Sequence, residues 1–83
     1  MRRRRPLPPC ALALLTVLPS DQPASTEEIA ARAAKAGIAL DGRPVTGVLR
    51  SLRRRGLASV RCAGDMVLYM RTPTGDRAAS AAV

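Results

Sequence analysis

The side chains best equipped for chemistry in this sequence are arginines, and one short stretch sets them in a pattern. Residues 41–56 read DGRPVTGVLRSLRRRG. On a helix of about 3.6 residues per turn, Arg43, Gly47, Arg50 and Arg54 fall on one side, with Thr46 and Arg53 on one shoulder and Ser51 on the other. Guanidinium groups are planar forks of N–H donors that match phosphate oxygens and the edges of bases. A helix that is merely solvated usually interleaves acids among its bases, yet no Asp or Glu lies between Asp41 and Asp65. The ridge therefore calls for an anionic partner. Other chemistries lack their parts. His is absent, the carboxylates are scattered, and no nucleophile stands beside a base, so no acid–base or triad constellation exists and no enzyme is expected. Cys10 and Cys62 make no metal-ligand cluster and are expected as reduced core or surface thiols, since pairing them would need an oxidising compartment. Neither GxGxxG nor GxxxxGK[ST] occurs, so no cofactor is expected.

Composition narrows the partner. An 83-residue chain holds one small domain, and its net charge of +8 favours nucleic acid or an anionic membrane surface. Tyr69 is the only aromatic residue, which argues against a platform for stacking single-stranded bases. Duplex is the expected target.

The remaining elements must hold the ridge. Residues 1–9 carry Arg2, Arg3, Arg4 and Arg5 followed by three prolines, and read as a basic flexible arm. Residues 10–18 are apolar on every side and read as a short buried helix that Pro19 ends. Four arginines before such a run also fit the start of a secretory signal. No small-x-small site follows, because Leu18 and Gln22 occupy the places that would need a small residue. The run is also shorter than the ~20 residues that span a bilayer. A cytoplasmic, nucleoid-associated protein with no membrane partner is expected.

After a polar loop at residues 21–24, Ser25 and Glu28 form a capping box that opens a second, alanine-rich helix ending at Gly37. Ile38 and Leu40 plug the turn that follows. Asp41 is expected as the N-cap of a third helix over residues 41–55, with Pro44 in its first turn and Gly56 as its stop. Val45, Val48, Leu49 and Leu52 make its buried stripe. The product is a helix-turn-helix. The period then changes to two, giving strands at residues 57–62 and 66–71 around Ala63, Gly64 and Asp65, a β-hairpin. Residues 74–83 read as a flexible tail, frayed or a nascent helical turn.

The order of these elements, with Arg54-Arg55-Gly56-Leu57 and Thr72-Pro73-Thr74-Gly75, resembles the winged helix-turn-helix core of the MarR-like transcriptional regulators over residues 11–75. That resemblance implies a mainly α fold of three helices plus a β-hairpin wing, in one domain over residues 10–73. It also implies a recognition helix in the major groove and a wing near the flanking backbone. Two departures stand out. The wing tip Cys62-Ala63-Gly64-Asp65 is short and has no arginine, and the long terminal helices through which full-length members dimerise are not expected within these 83 residues.

The expected function is sequence-specific duplex-DNA binding by a small transcriptional regulator. The expected contacts are Arg43, Thr46, Gly47, Arg50, Arg53 and Arg54 on the helix, Ser25 and Thr26 at the second helix start, and Arg61 and Gly64 in the hairpin. Arg2, Arg3, Arg4 and Arg5 are expected to anchor the backbone of any sequence. A protein–protein adaptor and a non-specific architectural module remain as alternatives. The core consumes most of the large apolar residues, so a monomer or weak dimer is expected in solution, with pairing on DNA.

Overall fold

The computed structural model describes residues 7–40 and 42–81. The Arg2 to Arg5 arm and the Asp41 cap lie outside the described residues.

Helix α1 (Pro9–Val17) starts at a proline, whose missing N–H and fixed φ suit a first turn, and buries Cys10, Ala11, Leu14 and Leu15. Leu18 leaves the helix in an extended conformation, as a residue before proline must. Strand β1 (Ala24–Ser25) follows, where the sequence reading places only loop. Its two residues are buried and pair antiparallel with a later strand, a long-range partner that local pattern does not reveal.

Helix α2 (Thr26–Lys35) begins at the expected cap, with the Glu28 backbone N–H donating to Ser25 Oγ at 3.2 Å. It ends in the expected place. Gly37 turns left-handed, while the Gly37 and Ile38 N–H groups donate to the Ala34 and Ala33 carbonyls, which satisfies the last orphaned acceptors.

Helix α3 (Val45–Arg54) is shorter than the expected 41–55 helix. Gly42 is left-handed at φ +79°, and the proline at position 44 disfavours a helical residue before it, so Pro44 is the N-cap and Arg43 precedes the helix. The end again repeats the α2 device. Gly56 is left-handed, and Gly56 and Leu57 donate to the Arg53 and Leu52 carbonyls.

Strands β2 (Ala58–Ala63) and β3 (Met66–Arg71) form the hairpin around Gly64 and Asp65, with Ala63 opposite Met66 and Val60 opposite Tyr69. The sheet has three strands in the order β1-β3-β2. Tyr69 is buried, so the Val67, Tyr69 and Arg71 face of β3 is turned to the helices and the Leu68 and Met70 face is half-wet.

The last element corrects the tail over residues 74–81, and residues 82 and 83 lie outside the described residues. Helix α4 (Pro73–Ala81) buries Gly75 and Ala79. Thr72 Oγ1 accepts from the Gly75 N–H at 3.0 Å, and Pro73 opens the helix. The described residues thus form four helices and a three-stranded sheet, with helix α4 packed on α1. Leu14, Leu15, Leu18, Ile29, Leu49 and Leu52 form the centre of the core.

Candidate nucleic-acid interface

The interface is built on the amphipathic division of α3. Val48, Leu49 and Leu52 are buried, whereas Thr46, Gly47, Arg50, Arg53 and Arg54 are exposed. Burial of one face fixes where the other points, and the hairpin fixes what stands beside it. Leu57 is buried immediately after the α3 stop, so the chain leaves the helix at a defined angle. Where the hairpin returns, the Thr72 N–H donates to the Leu57 carbonyl at 3.1 Å and Thr72 Oγ1 donates to the Gly56 carbonyl at 2.7 Å. The wing is held at its base.

Between α3 and the hairpin lie two open concavities of about 520 and 510 Å³ that share Arg50, Val67 and Tyr69. They join into one trough with α3 as a wall and the Val67 and Tyr69 face of β3 as the floor. One end is cationic, with Arg53 and Arg54 beside Val60 and Cys62. The other holds Thr26 and Thr46, and also Glu27 and Asp65. Among the described residues, the Arg50, Arg53 and Arg54 side chains join no ion pair and no hydrogen bond, and all three residues are exposed.

The sequence-derived contacts divide on this geometry. Thr26, Thr46, Arg50, Arg53 and Arg54 converge on the trough. Ser25 lies on its lining, but it is largely buried and its hydroxyl accepts the Glu28 N–H as a cap. Arg43 and Gly47 line a separate depression against Pro8 and Ala11 of the α1 start, and Arg43 Nη1 reaches Cys10 Sγ at 4.0 Å. A continuous helical wheel puts Arg43 on the ridge; outside the helix, it loses that alignment. Arg61 pairs across from Leu68 and shares a depression with Pro23 and Met70, on the outer face of the hairpin. Gly64 stands at the tip, left-handed at φ +62°. Both cysteines are free thiols, Cys10 buried and Cys62 exposed.

Several lining residues escaped the sequence reading. Glu27 belongs to the outer face of α2, and only the chain path brings it to α3. Val67 and Tyr69 were legible as one face of a strand. The face that would turn inward was not, because Met66, Leu68 and Met70 on the other face are as apolar.

No protein-family model matches the chain, and no curated protein matches it. Among solved structures, a cysteine-to-serine mutant of Lactococcus lactis ZitR is similar, with a TM-score of 0.67 and 21% sequence identity over 99% of this chain and 54% of that one. The chain spans about half the length of that protein. With four helices and a three-stranded antiparallel sheet, the likeness establishes a small winged-helix fold.

Proposed function

We propose that this chain is a sequence-specific duplex-DNA-binding protein, a small MarR-like transcriptional regulator that lays α3 in the major groove and its wing beside the flanking backbone. The observation that carries this reading is the placement of Arg50, Arg53 and Arg54, exposed along a single trough without a carboxylate partner within ion-pairing distance among the described residues. Guanidinium groups in such a setting neutralise phosphates and release counterions. Thr46 lies in the first turn of α3, the part of a recognition helix that reaches base edges in this type of docking, and Arg50 follows one turn later at the middle of the helix. The protein acts without catalysis and without a cofactor, in the cytoplasm at the nucleoid. No helix among the described residues is long and apolar enough to cross a membrane.

One observation favours the adaptor alternative. Met66 and Val67 are exposed large apolar residues, consecutive in β3 and so on opposite faces of the wing. They make no continuous patch, and a protein-binding face is marked by one of a few hundred Å². DNA remains the preferred partner.

The deciding experiment is a gel-shift titration with random and selected duplexes at increasing salt. Steep salt dependence with a preference for one sequence supports the reading. No binding at low salt removes it, and equal binding to every duplex reduces it to the architectural alternative.

A further inference from the structure

We infer that Glu27 and Asp65 are specificity-determining residues of the trough, keeping phosphate from its Thr46 end so that a base edge bearing an amine donor enters there, with Arg50 free for the acceptor edge of a neighbouring base. The inference rests on the proposed duplex-DNA reading and deepens it.

The trough is charged unevenly. Arg50 stands between an end that holds Arg53 and Arg54 and an end that holds Glu27 and Asp65. Both carboxylates are exposed and neither is ion-paired among the described residues, so each charge acts on whatever enters. They also come from two different elements. Glu27 lies in the first turn of α2 beside Glu28, where these charges offset the helix dipole and remove the attraction that a helix N-terminus holds for anions. Asp65 lies in the hairpin turn, directly before β3.

A phosphodiester group entering this end meets like charge from both carboxylates. The exocyclic amine of cytosine or adenine meets two acceptors there, with the Arg50 fork alongside for a neighbouring guanine. At the cationic end, where the lining holds no carboxylate among the described residues, the preference reverses and phosphate is held. The trough thus has a backbone end and a base end. Charge fixes the direction in which the duplex lies across it, and the acids prevent Arg50 from settling on the nearest phosphate.

The test compares the unmodified protein with E27Q, D65N and the double variant. Each is used to select bound duplexes from a random pool, followed by titrations on a selected and a random duplex. D21N, which removes an exposed loop carboxylate away from the trough lining, sets the baseline for losing one negative charge. The double variant is expected to tighten the random duplex more than the selected one. Their affinity ratio should fall about fivefold or more, and a cytosine or adenine preference at one position should disappear. D21N should leave the ratio and the motif unchanged. If the double variant tightens both duplexes equally, or its motif is unaltered, the inference is overturned while DNA binding stands. If the unmodified protein binds no duplex, the functional reading beneath it fails as well, and the two failures are distinguishable in the first titration.

Discussion

The Arg71 guanidinium donates from Nε to Asp76 Oδ1 at 2.6 Å and from Nη1 to the Leu15 carbonyl at 3.3 Å. One side chain at the end of the wing strand thereby ties α4 to the last turn of α1, the negative end of the helix dipole, which favours a cation. Its backbone N–H also donates to the Pro19 carbonyl at 2.8 Å. Arg71→Ala is expected to destabilise the fold by roughly 1–3 kcal/mol, since it removes charge-assisted bonds and the packing of the stem. Asp76→Ala should cost less, about 0.5 kcal/mol, because the Asp76 side chain is 45% exposed and solvent screens its half of the pair. Urea denaturation measures both. Equal losses would place the stabilisation in the ion pair alone.

Gly75 gives a prediction whose sign separates two effects. A glycine in a helix costs about 1 kcal/mol relative to alanine, so propensity alone makes Gly75→Ala stabilising. A Cβ at this position would lie 2.1 Å from the Leu57 carbonyl oxygen and 2.8 Å from Arg71 Cγ. Backbone cannot yield as a flexible side chain can, so the clash wins. We expect a net loss of roughly 2 kcal/mol or more, read as a lower thermal midpoint. A rise in the midpoint would show that α4 is not seated against Leu57.

The caps of α2 and α4 are similar in chemistry and should be similar in cost. Ser25→Ala and Thr72→Ala each remove a hydroxyl that accepts from a backbone N–H, of Glu28 and Gly75 respectively, for about 1 kcal/mol. Thr72→Ala should exceed Ser25→Ala, because Thr72 also donates to the Gly56 carbonyl and so anchors the base of the wing. Chemical denaturation of the two variants gives the order.

Within the proposed function, the arginines should separate into three classes. Arg50→Ala is expected to relax the preference at particular bases, for roughly 1–3 kcal/mol of discrimination. Arg53→Ala and Arg54→Ala should weaken cognate and random duplexes alike and reduce the log-log salt slope by about 0.9 for each phosphate no longer neutralised. Arg43→Ala should do little, since Arg43 lies against Cys10 in a separate depression. Binding titrations at several salt concentrations distinguish these outcomes. A loss of base preference on replacing Arg43 would return it to the reading surface.

In solution the chain is expected to be a monomer. Among the described residues, the exposed large apolar side chains are Met66 and Val67, whereas a stable dimer needs roughly 1,200–2,000 Å² with an apolar centre. Repulsion at a net charge of +8 opposes association further at low salt. Sedimentation at tens of micromolar (about 10–100 µM) should give one species near 8.8 kDa. A species of twice that mass at every concentration would overturn the expectation.

Short-range physics governs the features that are legible in the chain alone. Ser25 before Glu28, Gly37 and Gly56 are local signals, and each acts within one helical turn of its position, so the α2 cap and both helix stops stand where the sequence places them. The apolar stripe of α3 is equally local: Val48, Leu49 and Leu52 are buried, with Val45 half-buried at the helix start, and Arg50, Arg53 and Arg54 therefore point outward. Helix α4 is locally signalled as well by Thr72 and Pro73, but Gly75 and the small residues after it mask the pattern. Their smallness has a long-range cause, the close approach of Gly75 to Leu57. Strand β1 depends on pairing with residues more than forty positions away, Ala24 with Tyr69 and Ser25 with Leu68. The placement of Glu27 and Asp65 beside Arg50, and the removal of Arg43 and Arg61 from it, likewise belong to tertiary structure. A period assigns a residue to a face; only the packing of the elements decides which faces meet.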